Sequence, residues 1–250
     1  MMYFLKTTFK YINLKNIFFA TCIFIISVYL NLRFDNTDNS NVFLFLNGIT
    51  GSGILTISAI FIAILPSSLL FYDDYNHNYL KNILTRMSIK KYFITRTLST
   101  GFLGGLILSF LLLLLLLISL HFGKLPKSIL NNMISGAFSS IYPNHKILYS
   151  IIFIINSFIF GFVFSILGMV TTLFWNNKYA PTIVTLIVYL FSEPLLSIIN
   201  LGSLGFTNLF LYSENNLTTP LKINLEFFTI LVLSIIVGYL KMKRLLKIND

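Results

Sequence analysis

Charge is scarce in this chain. Only 10% of its 250 residues are Asp, Glu, Lys or Arg, against 56% that are hydrophobic. Soluble domains carry about a quarter charged residues, so the surface of a water-soluble particle is missing. The scarcity is also lopsided, with 8 acidic residues against 18 basic ones. A basic excess points to nucleic acid or to a membrane. The membrane accounts for it better here, because Lys and Arg gather in cytoplasmic loops. Cysteine is almost absent, and the lone Cys22 excludes an internal disulfide. The "FATC" at 19–22 follows too short an apolar run to be a lipoprotein cleavage box. No A-x-A-like site follows the first apolar run, so signal-peptide cleavage is not expected.

The usual chemical motifs are missing as well. No G-x-x-x-x-G-K-[ST] occurs, which excludes nucleotide binding through a P-loop. His77, His121 and His145 are scattered, and none has a second histidine or a carboxylate at ligand spacing, so no metal site is expected. H-E-x-x-H and G-x-S-x-G are absent. Glu193, Glu214 and Glu226 lie far apart, which leaves an intramembrane protease without paired catalytic groups. Catalytic residues and cofactors are therefore expected to be none in this chain.

Long apolar runs are plentiful. A crossing helix needs roughly 20 mostly apolar residues. Six runs qualify or come close: Ile17–Leu32, Ile49–Phe71, Thr97–Leu120 with its unbroken leucines at 111–117, Ile147–Phe174, Pro181–Ile199 and Leu225–Leu240. The expected fold is all-α, a single polytopic transmembrane domain over 1–250 with both termini on one side. Orientation follows from Lys and Arg. One side holds Lys6, Lys10, Lys15, Lys81, Arg86, Lys90, Lys91, Arg96, Lys178, Lys241, Lys243, Arg244 and Lys247. The other holds only Arg33, Lys124, Lys127, Lys146 and Lys222. The richer side is assigned to the cytoplasm.

Three segments depart from plain crossings. Phe4, Leu5, Phe9 and Ile12 fall near helical spacing ahead of the first run, which reads as an amphipathic helix in the interface or else a basic tail. Leu80, Ile83, Leu84 and Met87 form one helical stripe, with Lys81, Asn82, Thr85 and Arg86 on other faces. Asp73, Asp74, Asn76 and Asn78 mark a turn before it, and Ser88 can cap a helix beginning at Ile89. This short helix either meets a partner protein or serves as a basic anchor on lipid. Lastly, Pro194 falls inside the fifth run and is expected to break it. Gly202 and Gly205, expected to form a tight reversal, then precede the apolar patch "FTNLFLY". Residues 194–212 read as a re-entrant hairpin on the outer side, or as a surface loop after a fifth span ending near Glu193. Glu193 is the one acid near membrane depth, a substrate-pathway candidate by default or a solvated interface residue.

An interfacial N-terminal helix, six spans, the "YLKNILTRMSIKKYFITRT" segment at 79–97 and a broken segment between the last two spans together resemble the permease subunit of a type-2 ABC exporter. The resemblance covers the whole chain as a layout. It implies that residues 75–88 are the coupling helix, with Leu80, Ile83, Leu84, Arg86 and Met87 meeting a separate ABC ATPase subunit that binds ATP and Mg. Residues 90–96 would hold the base of the third span. The "YDDYNHN" at 72–78 departs from the glutamate and glycine found in many relatives. The resemblance further implies a bacterial cytoplasmic membrane, a second permease chain, lipid contacts, no nucleic acid, and export of an amphipathic peptide, drug or lipid-like substrate. The alternative is a bacteriocin immunity or sensing protein that binds without transport.

Overall fold

The computed structural model describes residues 14–34, 45, 49, 54–76, 80, 83, 85–122, 136–175, 177–212 and 218–247. The N-terminal amphipathic segment and Leu84 lie outside these residues. Among the described residues every regular element is helical. Helix α1 spans Leu14–Phe34, α2 Ile54–Ile64, α3 Leu69–Asn76, α4 Ile89–Phe122, α5 Lys146–Thr172, α6 Ala180–Ile198 and α7 Pro220–Lys247. Five of them (α1, α4, α5, α6 and α7) are long and apolar enough to cross a membrane, so the protein is a polytopic helical membrane protein.

The second apolar run behaves differently from the other five. Its helix α2 has 11 residues, and all but three are buried. It packs against α1, α4, α5 and α6, which places it at the centre of the bundle. Pro66 lacks a backbone donor and stops the helix. The chain then turns through residues 65–68, where the Ser67 and Ser68 hydroxyls donate to the carbonyls of Ala63 and Ile64 at 2.9 Å each. Helix α3 follows. Asp73, Asp74 and Asn76 thus lie within a helix rather than in the expected turn. Polar residues late in an apolar run read locally as a turn, but Asp74 pairs with α4, as described below, and ties this helix to the bundle.

Helix α4 begins at Ile89, directly after Ser88, as the sequence predicts, and runs for 34 residues. At 1.5 Å per residue it is about 51 Å long, well beyond the roughly 30 Å of hydrocarbon it would cross. It lies along α5 on a seam of small residues. A Cβ on Gly104 would fall 1.7 Å from the Ser165 hydroxyl oxygen and 2.7 Å from the Ala63 carbonyl oxygen. One on Gly161 would fall 2.8 Å from the Gly104 carbonyl oxygen. The Ser165 hydroxyl crosses to α2 and donates to Ala63 O at 2.9 Å. Between helices in lipid the association rests on close van der Waals contact and interhelical hydrogen bonds, and small residues permit both. Helices α2, α4 and α5 therefore form the rigid centre, to which Ser27 ties α1 by a hydroxyl bond to Ser58 at 2.9 Å.

Helix α6 continues through Pro194 to Ile198 instead of breaking there. A single internal proline forfeits one backbone bond and crowds one carbonyl. The helix is held across that point by the buried Tyr189 and Ser192 and by a Ser197 hydroxyl that donates to Pro194 O at 2.7 Å. Helix α7 is longer at both ends than the expected Leu225–Leu240.

Candidate functional site

The antiparallel order of the long helices gathers α3, Leu80, Ile83, residues 85–96, the end of α5, the start of α6 and the end of α7 at one end of the bundle. This end carries Arg86, Lys90, Lys91, Arg96, Lys178, Lys241, Lys243 and Arg244, and is called the basic end here. Its interior is a compact apolar cluster of Phe71, Leu80, Tyr92, Phe93, Met169, Val170, Leu173 and Met242. Ile83, Met87 and Ile89 pack against it partly buried. The stripe that the sequence assigned to a docking helix is thus turned toward the chain's own core. Backbone bonds from Arg86 and Met87 to the Ile83 carbonyl, at 3.0 and 3.1 Å, close the turn before α4. Thr85 and Arg86 are exposed on the other side of it.

Beside this cluster lies a buried ion pair. Arg96 Nη2 stands 2.7 Å from Asp74 Oδ2, with the two side chains only 6% and 15% exposed. The Tyr92 hydroxyl donates to the same oxygen at 2.6 Å. Tyr92 and Arg96 are four residues apart and share one face of α4, so α4 presents both to the single carboxylate on α3. Desolvating both charges offsets much of their mutual attraction. The pair is therefore a constrained link between two helices more than a source of net stability. The Phe71 and Tyr92 rings, 6.5 Å apart, close its apolar side. Helix α7 joins through Phe93 and Tyr239, 5.8 Å apart, and through Gly238, where a Cβ would stand 2.8 Å from Val170 Cγ2.

The opposite end holds Glu193. Helix α6 closes with Asn200 in the left-handed region at φ 59° and a Leu201 N–H bond to Leu196 O at 2.8 Å, a Schellman-type reversal. Asn200 makes the reversal that Gly202 and Gly205 were expected to form. Gly205 is instead required by proximity, since a Cβ there would stand 2.6 Å from Glu193 Cβ. The chain returns along α6. The Phe206 N–H donates to Ser192 Oγ at 2.9 Å, and the Thr207 hydroxyl donates to Glu193 Oε2. A single helical turn at Thr207–Phe210 then presses Leu209 and Phe210 into the bundle, where Asn156 Nδ2 donates to Leu209 O at 3.3 Å. Phe153, Phe160 and Phe210 pack edge to face or tilted, with centroids 5.1–5.8 Å apart. Phe138, at φ 63°, packs against Tyr212 and brings Ala137 N within 3.2 Å of Tyr212 O. The hydroxyls of Tyr189 and Tyr212 are buried here without a hydrogen-bond partner among the described residues.

Of the residues singled out from sequence, Leu80, Ile83 and Met87 are brought together at the basic end, and Arg86 is exposed beside them. Glu193 is exposed at the far end of the bundle, engaged with Thr207. Sequence reading treated Asp74 as a turn residue and missed Tyr92. A buried pair 22 positions apart leaves no periodic signal, and only an acid stranded among so few carboxylates hints at a partner. The seam was more accessible: Gly101 and Gly105 form a G-x-x-x-G on an apolar helix. Among the described residues no cluster of His, Cys, Asp or Glu is placed to hold a metal ion. No family model, curated protein or solved structure matches this chain.

Proposed function

We propose that this protein is the membrane subunit of an ATP-driven exporter, with a separate ATPase chain docking at the basic end. In this reading both termini and residues 80–96 face the cytoplasm. Residues 54–76, through α2, the 65–68 turn and α3, make the sixth crossing. The returning segment at 201–212 re-enters the outer half of the membrane. Two copies or two related chains form the pathway, and Glu193 stands at its outer mouth. The substrate class is an amphipathic peptide, drug or lipid-like molecule.

The observation that supports it most is the junction at the basic end. A polar turn with Thr85 and Arg86 outward is backed by an apolar stripe packed on the bundle. A buried Asp74–Arg96–Tyr92 link lies behind it. Such a junction would pass a push from below into α3 and α4 with little slack. A protein that only bound a ligand in the membrane has no use for it.

The test is affinity purification of the full chain from membranes of its own host. An ATPase chain bearing a P-loop should copurify with it, and Arg86→Glu should reduce its yield while membrane insertion and thermal stability stay unchanged. The exporter reading fails if no P-loop protein accompanies the wild-type chain. Met87→Asp is the wrong probe, because Met87 packs against the chain's own core and the variant would unfold the junction.

A further inference from the structure

We propose that a shallow depression at the start of α4, formed by Ser88, Lys90, Lys91, Ile94 and Thr95, holds the headgroup of an anionic phospholipid. The depression offers about 250 Å³. Lys90, Lys91 and Ser88 are exposed there and supply two cations and a hydroxyl. Among the described residues no carboxylate lines it. On the other face of the same helical turns, Tyr92 and Arg96 reach inward and engage Asp74, one of the two acids on α3. An anion is what this lining recognises.

The case for a lipid over a soluble anion comes from what continues beyond the lysines. Ile94, Phe102, Leu106 and Leu113 are exposed along one side of α4. They extend from the depression toward the helix middle as an apolar track. A headgroup seated on the lysines would lay its acyl chains on that track. A helix longer than the hydrocarbon is thick has room for residues 89–95, at its start, to stand at the depth of the phospholipid phosphates. Lysine stems of this kind run along apolar surface and lift their charges to the headgroups. The proposal does not depend on the exporter reading.

The experiment measures binding of phosphatidylglycerol to the purified full chain in phosphatidylcholine nanodiscs, by native mass spectrometry and by the thermal shift it confers. Three variants are compared with wild type. Lys90→Gln/Lys91→Gln should lower the preference for phosphatidylglycerol by roughly fivefold per lysine. Lys90→Arg/Lys91→Arg should retain it. Lys243→Gln/Arg244→Gln removes the same charge from the same end and should have a clearly smaller effect. Equal losses in the two neutralised pairs would mean diffuse attraction, and the site would be rejected. Equal protection by inorganic phosphate would also reject it, in favour of a site for a soluble anion.

Discussion

The two ends of the bundle are fastened by different physics. At the basic end, two side chains, Arg96 and Tyr92, converge on one carboxylate oxygen, and the helices α3 and α4 meet through a buried charge. At the opposite end, the chain is held by aromatic rings, by a side-chain amide bond to a backbone carbonyl and by backbone N–H bonds to hydroxyl oxygens, spread over α5, α6 and residues 136–145, 201–212 and 218. A charge link is conditional: removing one partner leaves the other stranded. A ring cluster is graded, because each contact is small and its neighbours survive its loss. The basic end is thus built to be either engaged or released, while the far end yields by degrees.

The central seam is the place to break both ends at once. Gly104→Val puts side-chain atoms where Ser165 and Ala63 O already are. Loss of the folded monomer is expected, seen as aggregation in size-exclusion chromatography of the detergent-solubilised protein, because backbone and a packed hydroxyl cannot both move aside. A well-behaved variant with unchanged thermal unfolding would show that the seam is looser than described.

Next in size is the charge link. Arg96→Met should cost about 3–5 kcal/mol, since it strands Asp74 in a buried site. The double variant Asp74→Leu/Arg96→Met should recover most of that loss. Thermal unfolding in one detergent, run as a double-mutant cycle, gives the coupling directly. If the double variant is no better than the single, the pair is not the link proposed.

Tyrosine hydroxyls sharpen the contrast further. Tyr92→Phe removes a bond to a carboxylate and should cost about 1.5–3 kcal/mol. Tyr212→Phe and Tyr189→Phe remove hydroxyls that have no partner among the described residues, so each should be neutral or stabilising by about 1 kcal/mol. The same atom deleted at the two ends should then change stability in opposite directions. A cost at Tyr212 similar to that at Tyr92 would point to a bridging water at the far end.

Much of the architecture was legible in the residues, because a crossing helix is written as a long apolar run. The start of α4 at Ile89 and the limits of α5 and α6 follow from such runs and their punctuation. Pro66 and Pro194 show where that reading stops. The first ends a helix and the second does not, and the difference lies in what packs around each one. The stripe Leu80, Ile83 and Met87 was legible as a stripe, but periodicity does not say whether an apolar face meets a partner or its own chain. The Asp74–Arg96 link was invisible, since only folding brings the two residues together. The role of Gly205 was legible as a need for glycine and misread as to cause: close approach to Glu193 demands it, not a turn.

The length of α4 has a mechanical consequence. A straight helix of 34 residues acts as a stiff lever of about 51 Å, clamped near its middle by Gly101, Gly104 and Gly105 against α5. At these glycines the two backbones lie closest, with the Phe162, Ser165 and Phe158 side chains of α5 seated over them, so the contact acts as a fulcrum. A tilt of roughly 5° about that fulcrum would carry each tip about 2 Å, in opposite directions, over the helix length given by its rise per residue. Displacement of Arg96 in one sense at the base would therefore arrive as displacement in the other sense near Leu117 and His121, with the amplitude set by where along the rod the glycines sit.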